Sequence, residues 1–415
     1  MPRVNAAARL FLRVTFPLAA FNLINQASRT VMSIIGPVLA VEFALSASEL
    51  GLLAACMFAS YAVAQLPVGI ALDVLGPRRV QAAFALVAAA GFAVFALSNG
   101  LAGFALARVI LGVGVSAGLM AILKANTQWF APAQVANMTG IAMAVGSMGS
   151  VLTTAPVEAA LPALGWRGVF WLLCGLSLAV AAWIFVSVRD KPAPAARRGL
   201  KAELAVMGSI LGSRLFWRFG PAVAMLSILN FTYLGLWAGP WLRDVAGYDG
   251  PARAYTLLLY TLAMLAGNLV IGHASSRAQA RGRPAILVPA LCMAGLIAAQ
   301  IGLALQPAGA VAVTLLWVAF SFFASGGATG YVALGQMFPP EQMGRVSTAA
   351  NTLTLAGAFL LQSAIGWILD LWPRTAAGGW DPKGYSAALM LSVAVQVLVA
   401  ARLAGAARGA KKRLK

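Results

Sequence analysis

Asn22, Asn25, Gln26, Arg29 and Ser33 lie inside one long apolar stretch that runs from Phe16 to about Phe43. At about 100° per residue they share one face of a helix, within an arc of roughly 100°. An arginine among amides and a hydroxyl suits one chemistry above others. Its planar fork of N–H donors matches a carboxylate or a phosphate, and the neutral groups can hold the rest of a polar ligand. The stretch is long enough to cross a bilayer, which takes about 20 residues. A cation at that depth is costly and persists where it faces protein or water, so it marks a pathway or a binding site. Two readings of Arg29 stand: it contacts a substrate, or it is a structural arginine held by backbone and by the amides of its own stripe.

An offset of 208 residues brings the same face back. Asn230, Tyr233, Trp237 and Trp241 stand where Asn22, Asn25, Arg29 and Ser33 stand in the first half. The same offset relates Trp129-Phe130-Ala131-Pro132-Ala133-Gln134 to Met337-Phe338-Pro339-Pro340-Glu341-Gln342, which share a Phe, a Pro and a Gln. The chain therefore reads as a tandem repeat, with two halves related about an axis along the membrane normal. The binding face would be asymmetric. Arg29 would hold the anionic head of a substrate, and Tyr233, Trp237 and Trp241 would suit its apolar body.

The elements that must carry these residues are membrane helices. Of the 415 residues 61% are hydrophobic and 10% charged, with a mean hydropathy of +0.85. A soluble domain averages about 25% charged residues. Twelve spans fit, at about 16–44, 49–72, 80–98, 102–126, 135–158, 166–188, 216–242, 252–275, 284–305, 310–334, 343–370 and 384–406. The expected fold is an all-α membrane protein of twelve transmembrane helices in two pseudo-symmetric six-helix bundles. Residues 1–188 form the first bundle, 189–215 a polar cytoplasmic linker, and 216–415 the second bundle with its basic tail. The first apolar run is long, polar-striped and without a small-residue cleavage site behind it, so it reads as a span and not as a cleavable leader.

The net charge of +19 would suggest nucleic acid on a soluble chain. Its distribution argues otherwise. With the N-terminus in the cytoplasm, most of the 30 Lys and Arg fall on that side, from Arg3, Arg9 and Arg13 to the tail Lys411-Lys412-Arg413. The opposite side receives Arg167, Arg243, Arg253, Arg374 and Lys383. The positive-inside rule then places both termini in the cytoplasm, in the inner membrane of a bacterium. Cys56, Cys174 and Cys292 sit within spans as small packing residues, with no metal-site or disulfide spacing. Gly112, Gly114 and Gly118, and likewise Gly326, Gly327 and Gly330, lie inside spans, where small residues let helices approach. A phosphate-cradling loop would need a strand before it and a helix after it.

Between the second and third spans runs Gly69-Ile70-Ala71-Leu72-Asp73-Val74-Leu75-Gly76-Pro77-Arg78-Arg79. It resembles the signature loop of the major facilitator superfamily, with Val74 where that family often has Arg. The resemblance implies gating roles for Gly69, which would let helices approach, for Asp73 at a helix end, and for Gly76, Arg78 and Arg79. The corresponding segment of the second half, from Gly272 to Arg283, lacks the Asp. Arg108, Gly112 and Gly114 resemble the family's fourth-span motif. Lys124 with Trp129, Phe130 and Pro132 is similar to the end of that span in organic-anion and sugar-phosphate permeases. Gly165-Trp166-Arg167-Gly168-Val169-Phe170 resembles its turn into the sixth span. Gly146, Gly149 and Pro156 match the fifth-span motif of drug antiporters poorly, because their spacing differs. Sugar-phosphate permeases often carry a second basic residue in the seventh span, where this chain has Trp237.

None of the eleven acidic residues lies near the middle of a span. A core holding bases without acids favours an anion, and it lacks the buried carboxylate that many proton-driven carriers use. Arg108 and Lys124 lie about 160° apart around the fourth span, so only one can face a central cavity, and which one stays open. Lys124 can also snorkel to the interface. Tyr61, Gln65, Tyr260, Asn268, Asn351, Thr354 and Gln362 are further polar candidates, and His273 reads as a solvated helix end. The resemblance implies a secondary transporter working by alternating access. The expected substrate is a small organic anion, a carboxylate before a phosphate ester, with protons as the coupling ion. A drug or metabolite exporter of the same superfamily is the alternative. No enzymatic activity, cofactor, metal or nucleic-acid partner is expected, and the chain is expected to work as a monomer in the lipid bilayer.

Overall fold

The computed structural model describes residues 9–190, 200–339, 342–375 and 378–413. They form helices joined by short turns, with no strand among the described residues. Among the described residues ten helices are long and apolar enough, by length and composition, to cross a membrane: Ala47–Gln65, Pro67–Leu97, Leu101–Trp129, Ala155–Ser187, Arg214–Asp244, Gly250–Ala280, Leu287–Ala304, Ala310–Gly335, Met343–Leu369 and Pro382–Ala401. The first and fifth expected spans are the helices Phe16–Glu42 and Pro132–Leu152, of 27 and 21 residues. At about 1.5 Å per residue both are long enough to cross the hydrocarbon. The polar stripe itself lowers the hydropathy of Phe16–Glu42.

Two glycines make the tightest corners. Helical structure runs from Ala47 to Leu97 and breaks only at Gly76, with φ 81°, and from Ala155 to Ser187 it breaks at Gly165, with φ 61°. Left-handed φ is open to glycine and costly for residues with a Cβ. The corner at Gly165 presents Trp166 and Arg167. The Trp166 indole donates to a Glu42 carboxylate oxygen at 2.7 Å, and the Arg167 guanidinium bonds Glu42 and Asn99 while lying 4.1 Å from the centre of the Trp166 ring.

The described chain falls into two compact units. One comprises Met1–Leu45 with Glu49–Arg197, the other Ser46–Ser48 with Arg198–Lys415. In the first, Phe16–Glu42 lies against Pro132–Leu152 so closely that a Cβ on Gly149 would fall 1.9 Å from the Leu23 carbonyl oxygen. In the second, a Cβ on Gly357 would fall 2.3 Å from Ile228 Cδ1. Gly357 is Gly149 shifted by 208, so the first span's contact with the fifth recurs as the seventh span's contact with the eleventh. The fourth-span glycines behave as expected of small contact residues: Gly112 abuts Met57 and Ser60, and Gly114 abuts the Ala88 backbone. Gly326, Gly327 and Gly330 abut Cys292, Ser227 and Val223 in the same way.

One expectation is corrected. The segment 189–215 is not polar throughout, because Leu200–Leu211 forms a helix. Its Ile210 enters the cluster of Phe216, Val223, Leu334, Val346, Ala349 and Ala350, with Val206 and Met207 packed on the same side. An apolar stripe at helical spacing outweighs the mean polarity of a linker. Residues 191–199, with Arg197 and Arg198 at the linker's basic centre, lie outside the described residues, as do Pro340 and Glu341.

Candidate functional site

The polar stripe of the first span forms an ordered chain. The Asn25 Nδ2 donates to Asn22 Oδ1 at 3.3 Å, and the Arg29 Nε donates to Asn25 Oδ1 at 3.1 Å. The Arg29 guanidinium also lies over the Tyr61 ring, 4.8 Å from its centre. These two contacts help to orient the fork. Arg29 is 9% exposed, and Asn22, Asn25 and Tyr61 are buried. Gln26 is half-buried beside them. Ser33 turns its hydroxyl back onto the Thr30 carbonyl at 2.7 Å. The far side of Asn22 is closed by glycine: a Cβ on Gly146 would meet Asn22 Nδ2 at 2.0 Å, and one on Gly118 would meet Asn25 Nδ2 at 3.2 Å. The amides thus sit where the fourth and fifth spans offer no side chain. Gly146 was weighed in sequence only as part of a poorly matched motif. Its signal was the spacing Gly146–Gly149, which gives one helix a smooth face.

Arg108 and Lys124, both weighed as substrate contacts, are engaged by other groups of the protein. Arg108 is 1% exposed. Its Nε donates to the Leu53 carbonyl at 3.1 Å and its NH1 to the Ser28 carbonyl at 2.9 Å. It ties the fourth span to the second and the first, one residue from Arg29. Lys124 reaches the end of the second span, where its Nζ lies 2.5 Å from Asp73 Oδ1.

The loop at Gly76 is held from a distance in sequence. Asp190 Oδ1 accepts the Arg78 backbone N–H at 2.9 Å, and the Arg78 side chain donates to the Phe185 carbonyl at 2.7 Å. A Cβ on Gly76 would stand 2.5 Å from the Asp190 carboxyl carbon. The close approach expected at Gly69 is not there, since a Cβ on Gly69 meets nothing within 4 Å. Gly76 needs glycine for both its φ and its closeness to Asp190. Arg79 is exposed. Sequence reasoning passed over Asp190, which reads as an ordinary linker charge.

In the second unit the seventh span carries a π-helical turn, Tyr233–Trp237. Such turns re-aim side chains and are frequent at functional sites. The aromatic face expected to be open is packed. Tyr233 lies 5.6 Å from Trp317 and 5.1 Å from Phe320, Trp241 lies 5.5 Å from Trp317, and Trp237 donates its indole N–H to the Gln362 carbonyl at 3.2 Å. Large rings in contact gain from edge-to-face geometry beyond area burial, which explains the cluster. The indole N–H groups of Trp241 and Trp317 are buried without a hydrogen-bond partner. Tyr260 donates to Asn230 Oδ1 at 3.0 Å, and Tyr331 and Thr354 share a bond of 2.6 Å. Asn351 is half-buried one turn from Thr354, whereas Asn268 is exposed beside Leu269 and Val270, and His273 is exposed.

A helical membrane protein whose two units each bury a polar face within an apolar bundle is built to pass small molecules. A family model for the Major Facilitator Superfamily matches residues 18–362. The chain belongs to that superfamily of membrane transporters: it is an all-α, multi-pass protein of twelve transmembrane helices in two six-helix bundles and not an enzyme. It is similar to the hexuronate transporter of Bacillus subtilis, 23% identical over 363 residues, covering 84% of this chain and 85% of the relative. It is similar also to the "Probable sulfoacetate transporter SauU" of Cupriavidus necator, 25% identical over 270 residues, covering 60% of this chain and 61% of the relative. Among solved structures it is similar in fold to a bacterial homologue of the human lysosomal transporter Spinster in an inward-facing, unoccupied conformation. That match has a TM-score of 0.74 at 19% identity and covers 97% of each chain.

Proposed function

We propose that the chain is a secondary transporter of a small organic anion, a carboxylate before a phosphate ester, working by alternating access and coupled to protons. The observation that carries this is the chain Asn22–Asn25–Arg29, which fixes a guanidinium at mid-span. Relatives named for hexuronate and sulfoacetate transport support it, since both compounds are organic anions. Arg29 takes the carboxylate through two parallel N–H···O bonds. Asn22, Asn25 and Gln26 hold neighbouring hydroxyls. In the second half Tyr233, Trp237 and Asn351 are the residues proposed to take part in substrate binding. Weak-acid substrates can themselves carry a proton, so the scarcity of mid-span carboxylates does not oppose proton coupling. Melting of the purified chain with a panel of hexuronates, aldonates, sulfonates, neutral sugars and cationic drugs tests the reading. Stabilisation by the organic anions alone is expected, whereas stabilisation by cationic drugs alone would replace it with the exporter.

The protein is proposed to work as a monomer in a bacterial inner membrane with both termini in the cytoplasm. Labelling checks the orientation. In a background without native cysteine, Ala308→Cys reacts with an impermeant thiol reagent from outside intact cells and Arg283→Cys does not. The opposite pattern would invert the topology.

Gly69, Asp73, Gly76, Arg78 and Arg79 form the proposed gate. The Asp73–Lys124 pair is partly solvated, with side-chain exposures of 65% and 32%, so its worth is about 1 kcal/mol at most. That suffices to change conformer populations about five-fold. Asp73→Asn is expected to slow transport about that much while substrate-induced stabilisation persists. An unchanged transport rate would remove Asp73 from the gate.

A further inference from the structure

The charged loop at Gly76 lines a concavity of about 480 Å³, bounded by Leu72–Gly76, Arg78, Arg79, Gln128, Arg189 and Asp190. Three guanidiniums border it, and Lys124 stands next to it through Asp73. The two carboxylates nearby are engaged: Asp73 by Lys124, Asp190 by the Arg78 backbone N–H. Arg78 is committed through its Nε to the Phe185 carbonyl and lies over that ring. Neither the Arg79 nor the Arg189 guanidinium has a hydrogen bond or ion pair among the described residues. Among the described residues the local balance is four cations to two anions, around a space large enough for a phosphate and its glycerol. The flank is apolar and open: Val74 is 51% exposed, Leu75 49% and Val186 82%. A basic hollow at the end of a helix bundle, with bare aliphatic side chains on its membrane side, has the two-part chemistry of an anionic phospholipid.

We propose that this hollow holds the phosphate headgroup of an anionic phospholipid, with Arg79 and Arg189 as the principal ligands and the acyl chains running over Val74, Leu75 and Val186. A lipid there spans the ends of the second, third and sixth helices. It therefore bears on the same Gly76 corner that the Asp73–Lys124 pair and Asp190 already hold, and the membrane's anionic lipid content sets how firmly that corner is closed. The recognition is of a phosphate oxyanion by planar guanidinium forks, and a soluble phosphate ester shares that chemistry. What favours the lipid is the continuity of the hollow with exposed aliphatic surface.

Native mass spectrometry of the full-length chain in detergent tests this. The probes are dioleoyl phosphatidylglycerol, dioleoyl phosphatidylcholine and glycerol 3-phosphate. One phosphatidylglycerol is expected to be retained in preference to phosphatidylcholine. Arg79→Gln with Arg189→Gln weakens that retention on the order of thirty-fold, at about a tenfold loss per 1.4 kcal/mol and roughly 1 kcal/mol per basic residue. Arg281→Gln with Arg283→Gln removes equal charge from the second half and leaves retention intact. If the first pair of substitutions prevents folding, Arg79→Lys with Arg189→Lys keeps the charge and topology and loses the fork. Several-fold weaker retention is then expected, and undiminished retention would overturn guanidinium recognition. Equal retention of phosphatidylcholine, an equal loss in the Arg281 and Arg283 variant, or displacement of the lipid by millimolar glycerol 3-phosphate would each overturn the proposal.

Discussion

Arg29→Ala abolishes saturable uptake of the organic anion, and the purified variant no longer gains thermal stability from it. A charge-assisted hydrogen bond contributes about 1.5–3 kcal/mol, and a bidentate pair makes two of them. A loss of about 3 kcal/mol or more is expected, over one hundred-fold in affinity. Arg29→Lys keeps the charge and loses the fork, so affinity falls on the order of ten-fold. What separates a binding role from a structural one is the melting temperature without ligand. A charge at mid-membrane costs at least a few kcal/mol in itself, which offsets what its contacts contribute, those to Asn25 and the Tyr61 ring among them. If Arg29 is a substrate ligand, its removal leaves the unliganded melting temperature within a few degrees. A variant that keeps anion transport, or one that melts far below the parent without ligand, would make Arg29 a structural arginine and favour the exporter.

The stripe was legible because helical period and depth are properties of sequence. Five polar residues on one arc of an apolar run cannot be hidden by tertiary packing, and Arg29 sits on Asn25 four residues earlier, as that period requires. The family was legible in the loop from Gly69 to Arg79 for the same reason: its residues are contiguous. What was not legible is what comes from far along the chain. Gly76 is defined as much by Asp190 as by its own φ, yet nothing near Asp190 announces a partner at the second span. Periodicity put Tyr233, Trp237 and Trp241 on one face. It could not say that the face would be covered by Trp317, Phe320 and Gln362 of the same unit. The helix Leu200–Leu211 was masked by the charged residues before it, although Val206, Met207 and Ile210 carry the spacing.

Arg108 is the case where sequence left two answers open. Its partners are backbone carbonyls, which have no side-chain signature. Arg108→Gln is expected to lower the unliganded melting temperature sharply. It removes charged donors from the Leu53 and Ser28 carbonyls in a site 1% exposed. Each such bond contributes about 1.5–3 kcal/mol. Interhelical hydrogen bonds in membranes fall toward the lower end, so a total of about 3 kcal/mol is reasonable. Arg108→Lys recovers part of this, because one ammonium can reach one carbonyl but cannot bridge two in a fixed plane. The substrate's effect discriminates the roles. Ser28 is the neighbour of Arg29, so a slack first span blurs the position of the guanidinium: affinity in Arg108→Lys falls a few-fold, and the anion still stabilises the variant. Arg29→Ala gives the mirror pattern, an intact fold with no response to the anion. If Arg108→Gln instead melts like the parent and ignores the anion, Arg108 is a substrate ligand. The fourth span then turns its cationic face inward at Arg108 and leaves Lys124 to Asp73.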